Sequence, residues 1–158
     1  MRRAVPAVVA VAAVALAGGA AAAVRADGPA RVVAEDRDGR PVAELELPRS
    51  GAFALAYRHS YYRRPAVERF VASEDGSFRL VEIASPSEAV LDYYEIDGVK
   101  RHGDGWWRLR PDRPARFSRM ALAATAVGRR TLVAGGEREP LFRGDGRVSH
   151  LTIAVEGG

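Results

Sequence analysis

Beyond residue 30 the chain breaks into short runs in which apolar and polar positions alternate. An apolar residue at every second position suits a strand with one buried face. The runs are "RVVA" (31–34), "VAELEL" (42–47), "FALAYRHSY" (53–61), "VERFVAS" (67–73), "FRLVEI" (78–83), "GWWRLR" (105–110), "RFSRMALAA" (116–124), "RTLVA" (130–134) and "VSHLTIAV" (148–155). Asp-Gly dipeptides stand at 38–39, 75–76, 97–98, 104–105 and 145–146, and this pair tolerates the positive φ of tight hairpin turns. The pattern predicts an all-β fold: an antiparallel sandwich or partly open barrel of about eight or nine strands. One short connecting helix is predicted at "SPSEAVLDYY", with Ser85 as cap, Pro86 in the first helical position and Glu88 closing a capping box. No segment repeats at a fixed period and no linker divides residues 27–158, so they read as a single domain.

The stretch "YRHSYYRRPAVERF" (57–70) sets a histidine in an aromatic strand and a glutamate nine residues later. A turn centred on Arg63 and Arg64 places His59 opposite Glu68 and Tyr57 opposite Phe70. A second hairpin centred on Asp75 and Gly76 places Phe70 opposite Val81 and Glu68 opposite Ile83. One face of this meander then reads Phe53, Leu55, Tyr57, His59, Glu68, Phe70, Val81 and Ile83, apolar except for His59 and Glu68 at one end. The other carries Arg58, Arg69 and Glu82, with Arg69 and Glu82 paired across strands.

A histidine beside a glutamate has two readings. As a structural pair, the carboxylate holds the imidazole tautomer and raises its pKa. As a functional pair, Glu68 orients His59 as a base or donor at a ligand, partner or catalytic site, with Tyr57, Ser60, Arg63 and Arg64 around it. Ser60 is not expected to act as a nucleophile with His59, because adjacent strand residues face opposite ways. His102 in a loop and His150 on the opposite parity from Leu151 and Ile153 do not converge with His59, so no metal site is expected. Trp106 and Trp107 alternate faces, one as a core anchor. The many arginines suit bidentate recognition of carboxylates, although Lys100 is the only lysine, which points to a general preference for Arg. Arg143-Gly144-Asp145 reads as part of an ordinary turn.

Arg2 and Arg3 precede an apolar run, Ala4 to Val24, and "VRA" before Asp27 has the form of a cleavage site. Residues 1–26 therefore read as a signal peptide or, uncleaved, an N-terminal membrane anchor. Either places the domain outside the cytoplasmic membrane, periplasmic or extracellular. With that leader go three arginines, so the balance of basic against acidic residues falls from 24 against 20 to 21 against 20. A nucleic-acid partner loses its main support. The chain has no cysteine, which excludes disulfides, thiolate metal sites and a thiol nucleophile.

"FALAYRHSYYRRPAVERF" resembles the opening motif of the DUF1850 family of prokaryotic domains, in which an aromatic strand carries a Tyr-x-His-Ser core, a Pro-Val pair and a Glu before an aromatic. Tyr57, His59, Ser60, Pro65, Val67 and Glu68 match it, and "GRRTLVAGGEREPLF" and "LTIAV" are similar to its final strands. The likeness spans most of residues 50–156. Where many members carry a Gly-rich loop after the meander, this chain has "SPSEAVLDYY", which alters any site that loop serves. The resemblance implies a small exported protein, without an assigned activity or cofactor, encoded beside tripartite (TRAP) transporters of the TAXI type that take up organic acids. Its expected partner is a transporter subunit or solute receptor. The expected function is thus a non-enzymatic accessory or binding protein, with an envelope hydrolase or isomerase using His59 and Glu68, or a purely structural domain, as alternatives.

Overall fold

A computed structural model describes residues 28–157; the leader read at 1–26 lies outside them. The chain runs β1 (Arg31–Glu35), β2 (Pro41–Glu46), β3 (Ala52–Arg58), β4 (Pro65–Ala72), β5 (Phe78–Ser85), α1 (Glu88–Asp92), β6 (Gly98–Gly103), β7 (Trp106–Pro111), β8 (Arg116–Phe117), β9 (Arg119–Ala124), β10 (Thr131–Ala134), β11 (Glu137–Pro140) and β12 (Ser149–Glu156). The strands form two antiparallel sheets, a smaller one ordered β2-β1-β12-β9 and a larger one ordered β11-β10-β3-β4-β5-β7-β6, with β8 paired to β5. The architecture is a sandwich and not a closed barrel. Among the described residues no helix is long and apolar enough to cross a membrane.

The two sheets bury the apolar half of each alternating strand between them. Val32, Ala34, Leu45, Leu151 and Ile153 from the smaller sheet meet Phe53, Leu55, Phe70, Phe78, Ile83 and Leu132 from the larger. Phe53 and Phe70 stack with centroids 5.1 Å apart, and Phe78 meets both edge-on. A satellite cluster of Ala66, Val90, Leu91 and Leu109, joined by Tyr57, Tyr94 and Trp107, seats α1 on the inner face of the larger sheet.

The twelve strands of the described residues exceed the eight or nine expected. The strands without a counterpart among the predicted runs are β6 (GVKRHG) and β11 (EREP), the two outermost strands of the larger sheet. With one side unpaired and little buried, an edge strand is under weak pressure to alternate. The "RFSRMALAA" run also splits, β8 joining the larger sheet and β9 the smaller. His102, expected in a loop, lies on β6 opposite Trp107. Trp107 is the core-facing tryptophan of its pair, and Trp106 is half-buried as well.

Candidate functional site

The β3–β4 connection is longer than a tight turn. Arg58 pairs with Pro65, so residues 59–64 form the tip. Pro65 has no N–H to offer and biases the residue before it away from helical turn geometry, which disfavours a turn centred on Arg63 and Arg64. Instead the His59 amide donates to the Arg64 carbonyl at 2.8 Å, the Arg63 amide to the His59 carbonyl at 2.8 Å, and Arg63 takes a φ of 55°. The pairing shifts by an even number of residues from the expected register, so every side chain keeps its face while its partner changes. Phe53 stands opposite Phe70, Leu55 opposite Glu68, and Tyr57 opposite Ala66.

The expected His59–Glu68 pair therefore does not form. In the next hairpin Glu68 faces Ile83 and Arg69 faces Glu82 as expected, but a bulge between Arg69 and Phe70 brings Leu80, not Val81, opposite Phe70. The extra residue turns Leu80 into the core and leaves Val81 half-buried.

Glu68 lies further inside the sandwich than the pairing with His59 required. Its Oε1 accepts hydrogen bonds from the Tyr94 hydroxyl at 2.7 Å and the Tyr57 hydroxyl at 3.1 Å. Burial pushes its carboxyl pKa up, and the positive charge of Arg130 opposes that rise. Arg130 sits over the Tyr57 ring, 4.8 Å from its centroid. The same enclosure pushes the Tyr94 hydroxyl up to about 12, so it remains a donor throughout the physiological range. One carboxylate, two phenols and a nearby guanidinium thus make a polar knot within apolar surroundings.

His59 is buried, at 6% exposure. Its Nδ1 accepts the Tyr62 amide at 3.3 Å, which places the proton of the neutral ring on Nε2. Burial lowers its pKa, opposite to the rise expected from a carboxylate neighbour. The ring packs against Tyr93 at 4.7 Å and Tyr62 at 5.3 Å, and Tyr61 meets Tyr62 at 4.9 Å. All three tyrosines are exposed, Tyr61 at 74%, Tyr93 at 53% and Tyr62 at 37%. Ser60, Arg63 and Arg64 are exposed on the tip, and the Arg58 guanidinium donates to the Arg63 carbonyl at 3.0 Å. The predicted residues thus divide between the sheet, where Tyr57 and Glu68 bond to each other on its inner face, and the tip, where His59 is buried beneath the exposed Ser60, Arg63 and Arg64.

Comparison with protein-family models, curated proteins and solved structures finds no match.

Sequence reasoning missed Tyr93, Tyr94 and Arg130. Tyr93 follows α1 directly and Tyr94 is next in line; only the docking of that helix brings them to β3 and β4. Ser85, expected as the helix cap, is instead the last residue of β5 and fully buried. Its hydroxyl donates to the Pro65 carbonyl at 2.8 Å and accepts from the Ser87 amide at 3.1 Å, and the cap position falls to Ser87. His150 is exposed on β12, and among the described residues no cluster of His, Asp or Glu could hold a metal. Three surface clefts lie elsewhere, one lined by Asp36, Phe142 and Arg147, one by Ala121, His150 and Thr152, and one by Pro48, Glu74 and Val155; none of them includes His59 or Glu68.

Proposed function

We propose that the protein is a non-enzymatic binding or accessory module, exported from the cytoplasm, that serves a solute-uptake system of the TAXI-type TRAP class. Its partner is a transporter subunit or solute receptor, met at the corner formed by the β3–β4 tip and the residues after α1. The observation that carries this reading is the aromatic cluster at the buried His59, with Tyr62 and Tyr93 against its ring and Tyr61 against Tyr62. Singly scattered exposed aromatics need no explanation, but three in a row, with Tyr62 between Tyr61 and Tyr93, on a tip that also carries Arg58, Arg63 and Arg64 make a patch of the residue types that dominate binding hot spots. The neutral, desolvated His59 fixes the orientation of that patch and offers Nε2–H as a donor. The choice of partner and the export rest on the likeness of Tyr57, His59, Ser60, Pro65, Val67 and Glu68 to the DUF1850 motif and on the form of the leader.

Crosslinking in membranes of cells that express the whole uptake system tests this. Capture of a transporter subunit or solute receptor is expected, and its loss with Tyr62→Ala combined with Tyr93→Ala. Recovery of the protein alone refutes the reading.

Glu68 supports a second, structural role. Its bonds to Tyr57 and Tyr94 tie β3, β4 and the segment after α1 together. The catalytic alternative depended on Glu68 orienting His59, and the β3–β4 register separates the two.

A further inference from the structure

The outer face of the larger sheet, turned away from the core, carries a charge pattern of its own. One row across it runs Arg138, Val133, Ala54, Arg69 and Glu82 on successive strands. The next runs Thr131, Ala56, Val67, Ala84, Arg108 and Arg101. Small residues form the floor, Val133, Ala54, Ala56 and Val67, all half-buried, and arginines stand on both sides of it.

Glu82 is the one acid in these rows and is itself buried, at 8% exposure. Arg69 reaches it at 2.7 Å, Arg110 at 3.4 Å and Arg108 at 3.8 Å. Glu137 and Glu139 alternate to the other side of the edge strand, opposite Ala134 and Leu132. The charge presented outward is therefore positive. Helix α1 packs on the inner face, and no described helix or strand is layered on the outer one.

We propose that this face docks an acidic amphipathic helix of a partner protein, its apolar stripe on the small-residue floor and its carboxylates on the arginine rim. An apolar centre bordered by charge is the anatomy of a protein interface, and the planar fork of Arg suits carboxylates. Arg138 and Arg69 in the first row are separated by three strand spacings, about 14 Å. A helix with its side chains is about 10–12 Å across, so it fits between them. The leader cannot be the occupant: residues 1–26 contain no Asp or Glu and carry three arginines, the wrong charge for this rim. A lipid surface is a poorer match, because the rows present no large apolar side chain to insert. The two rows share no residue with the tyrosine corner, and the inference does not rest on the function proposed there.

The test uses the full chain and a synthetic helix-forming peptide with Glu on one face and Leu on the other, with binding followed by fluorescence polarisation. Saturable binding is expected that weakens with added salt and is about tenfold weaker for a scrambled peptide of the same composition. Arg110→Glu combined with Arg138→Glu should weaken it by about tenfold or more, while Arg147→Glu, in the loop that leads into β12 of the smaller sheet, should not; unchanged melting curves confirm that the variants fold. Equal binding of the scrambled peptide, an equal loss with Arg147→Glu, or displacement of the peptide by phosphatidylglycerol vesicles overturns the proposal. So does self-association that the double charge reversal abolishes, which would make the occupant a second copy of the chain.

Discussion

Replacing Glu68 separates what its shape contributes from what its charge costs. The carboxylate accepts from Tyr94 at 2.7 Å and Tyr57 at 3.1 Å. In Glu68→Gln the amide oxygen can keep both bonds, whereas Glu68→Ala removes the acceptor. The Tyr94 hydroxyl is largely desolvated, so its orphaning costs about 1–3 kcal/mol. Tyr57 recovers part of its loss through the exposure it retains. Release of a poorly solvated carboxylate offsets some of the penalty, leaving an expected net cost for Glu68→Ala of about 1–3 kcal/mol near neutral pH.

The Glu68→Gln effect should depend on pH. Because the native carboxyl pKa is raised above its ordinary 4.5, the folded state holds this proton more tightly than the unfolded chain. The resulting stabilisation is fully present below about 4.5 and is lost as pH rises through the folded value. Glutamine has no charge to desolvate, so Glu68→Gln should gain on wild type as pH rises from 4.5 towards neutrality, while matching it to within about 1 kcal/mol at the acid end. Urea unfolding across that range, with the slope checked for constancy, measures both. A Glu68→Gln penalty equal to that of alanine, or a difference from wild type that is flat in pH, refutes the knot as described.

Two further outcomes follow from the same packing. His59 should titrate below its ordinary 6.5 because burial disfavours the imidazolium; the native state then binds the proton more weakly than the unfolded chain, so stability present above 6.5 is lost as pH falls below it, and the His59 ring signals in an NMR titration check the midpoint. Gly98→Ala should cost about 1–3 kcal/mol, since a Cβ there would overlap the Arg110 carbonyl across the β6–β7 pair; thermal unfolding measures it, and wild-type stability would show that this edge yields freely.

Much of the architecture was legible in the chain because alternation records which side of a strand is buried. Phe53, Leu55, Phe70 and Ile83 face inward as their spacing requires, and at four of the five Asp-Gly pairs the glycine takes positive φ. Gly98 is the exception, enclosed against β7 and needed there for space. The polar edge strands β6 and β11 left no periodic trace, because half of their hydrogen-bonding edge and most of their side chains face water.

Register was another matter. Alternation has a period of two, so it specifies the face of Glu68 equally well in any pairing shifted by an even number of residues. The pairing that formed stacks Phe53 on Phe70 with Phe78 edge-on to both in the core, a tertiary gain, while Pro65 locally disfavours a turn centred on Arg63 and Arg64. That choice moved Glu68 from His59 to Tyr57, and the docking of α1 then brought Tyr94 to the carboxylate and Tyr93 to the imidazole. The chain's own pattern determined that a glutamate would lie on the inner face of the larger sheet and that a histidine would stand just past the end of the neighbouring strand. Only long-range packing, which a local pattern cannot encode, determined that one would underlie a surface patch and the other a buried polar knot.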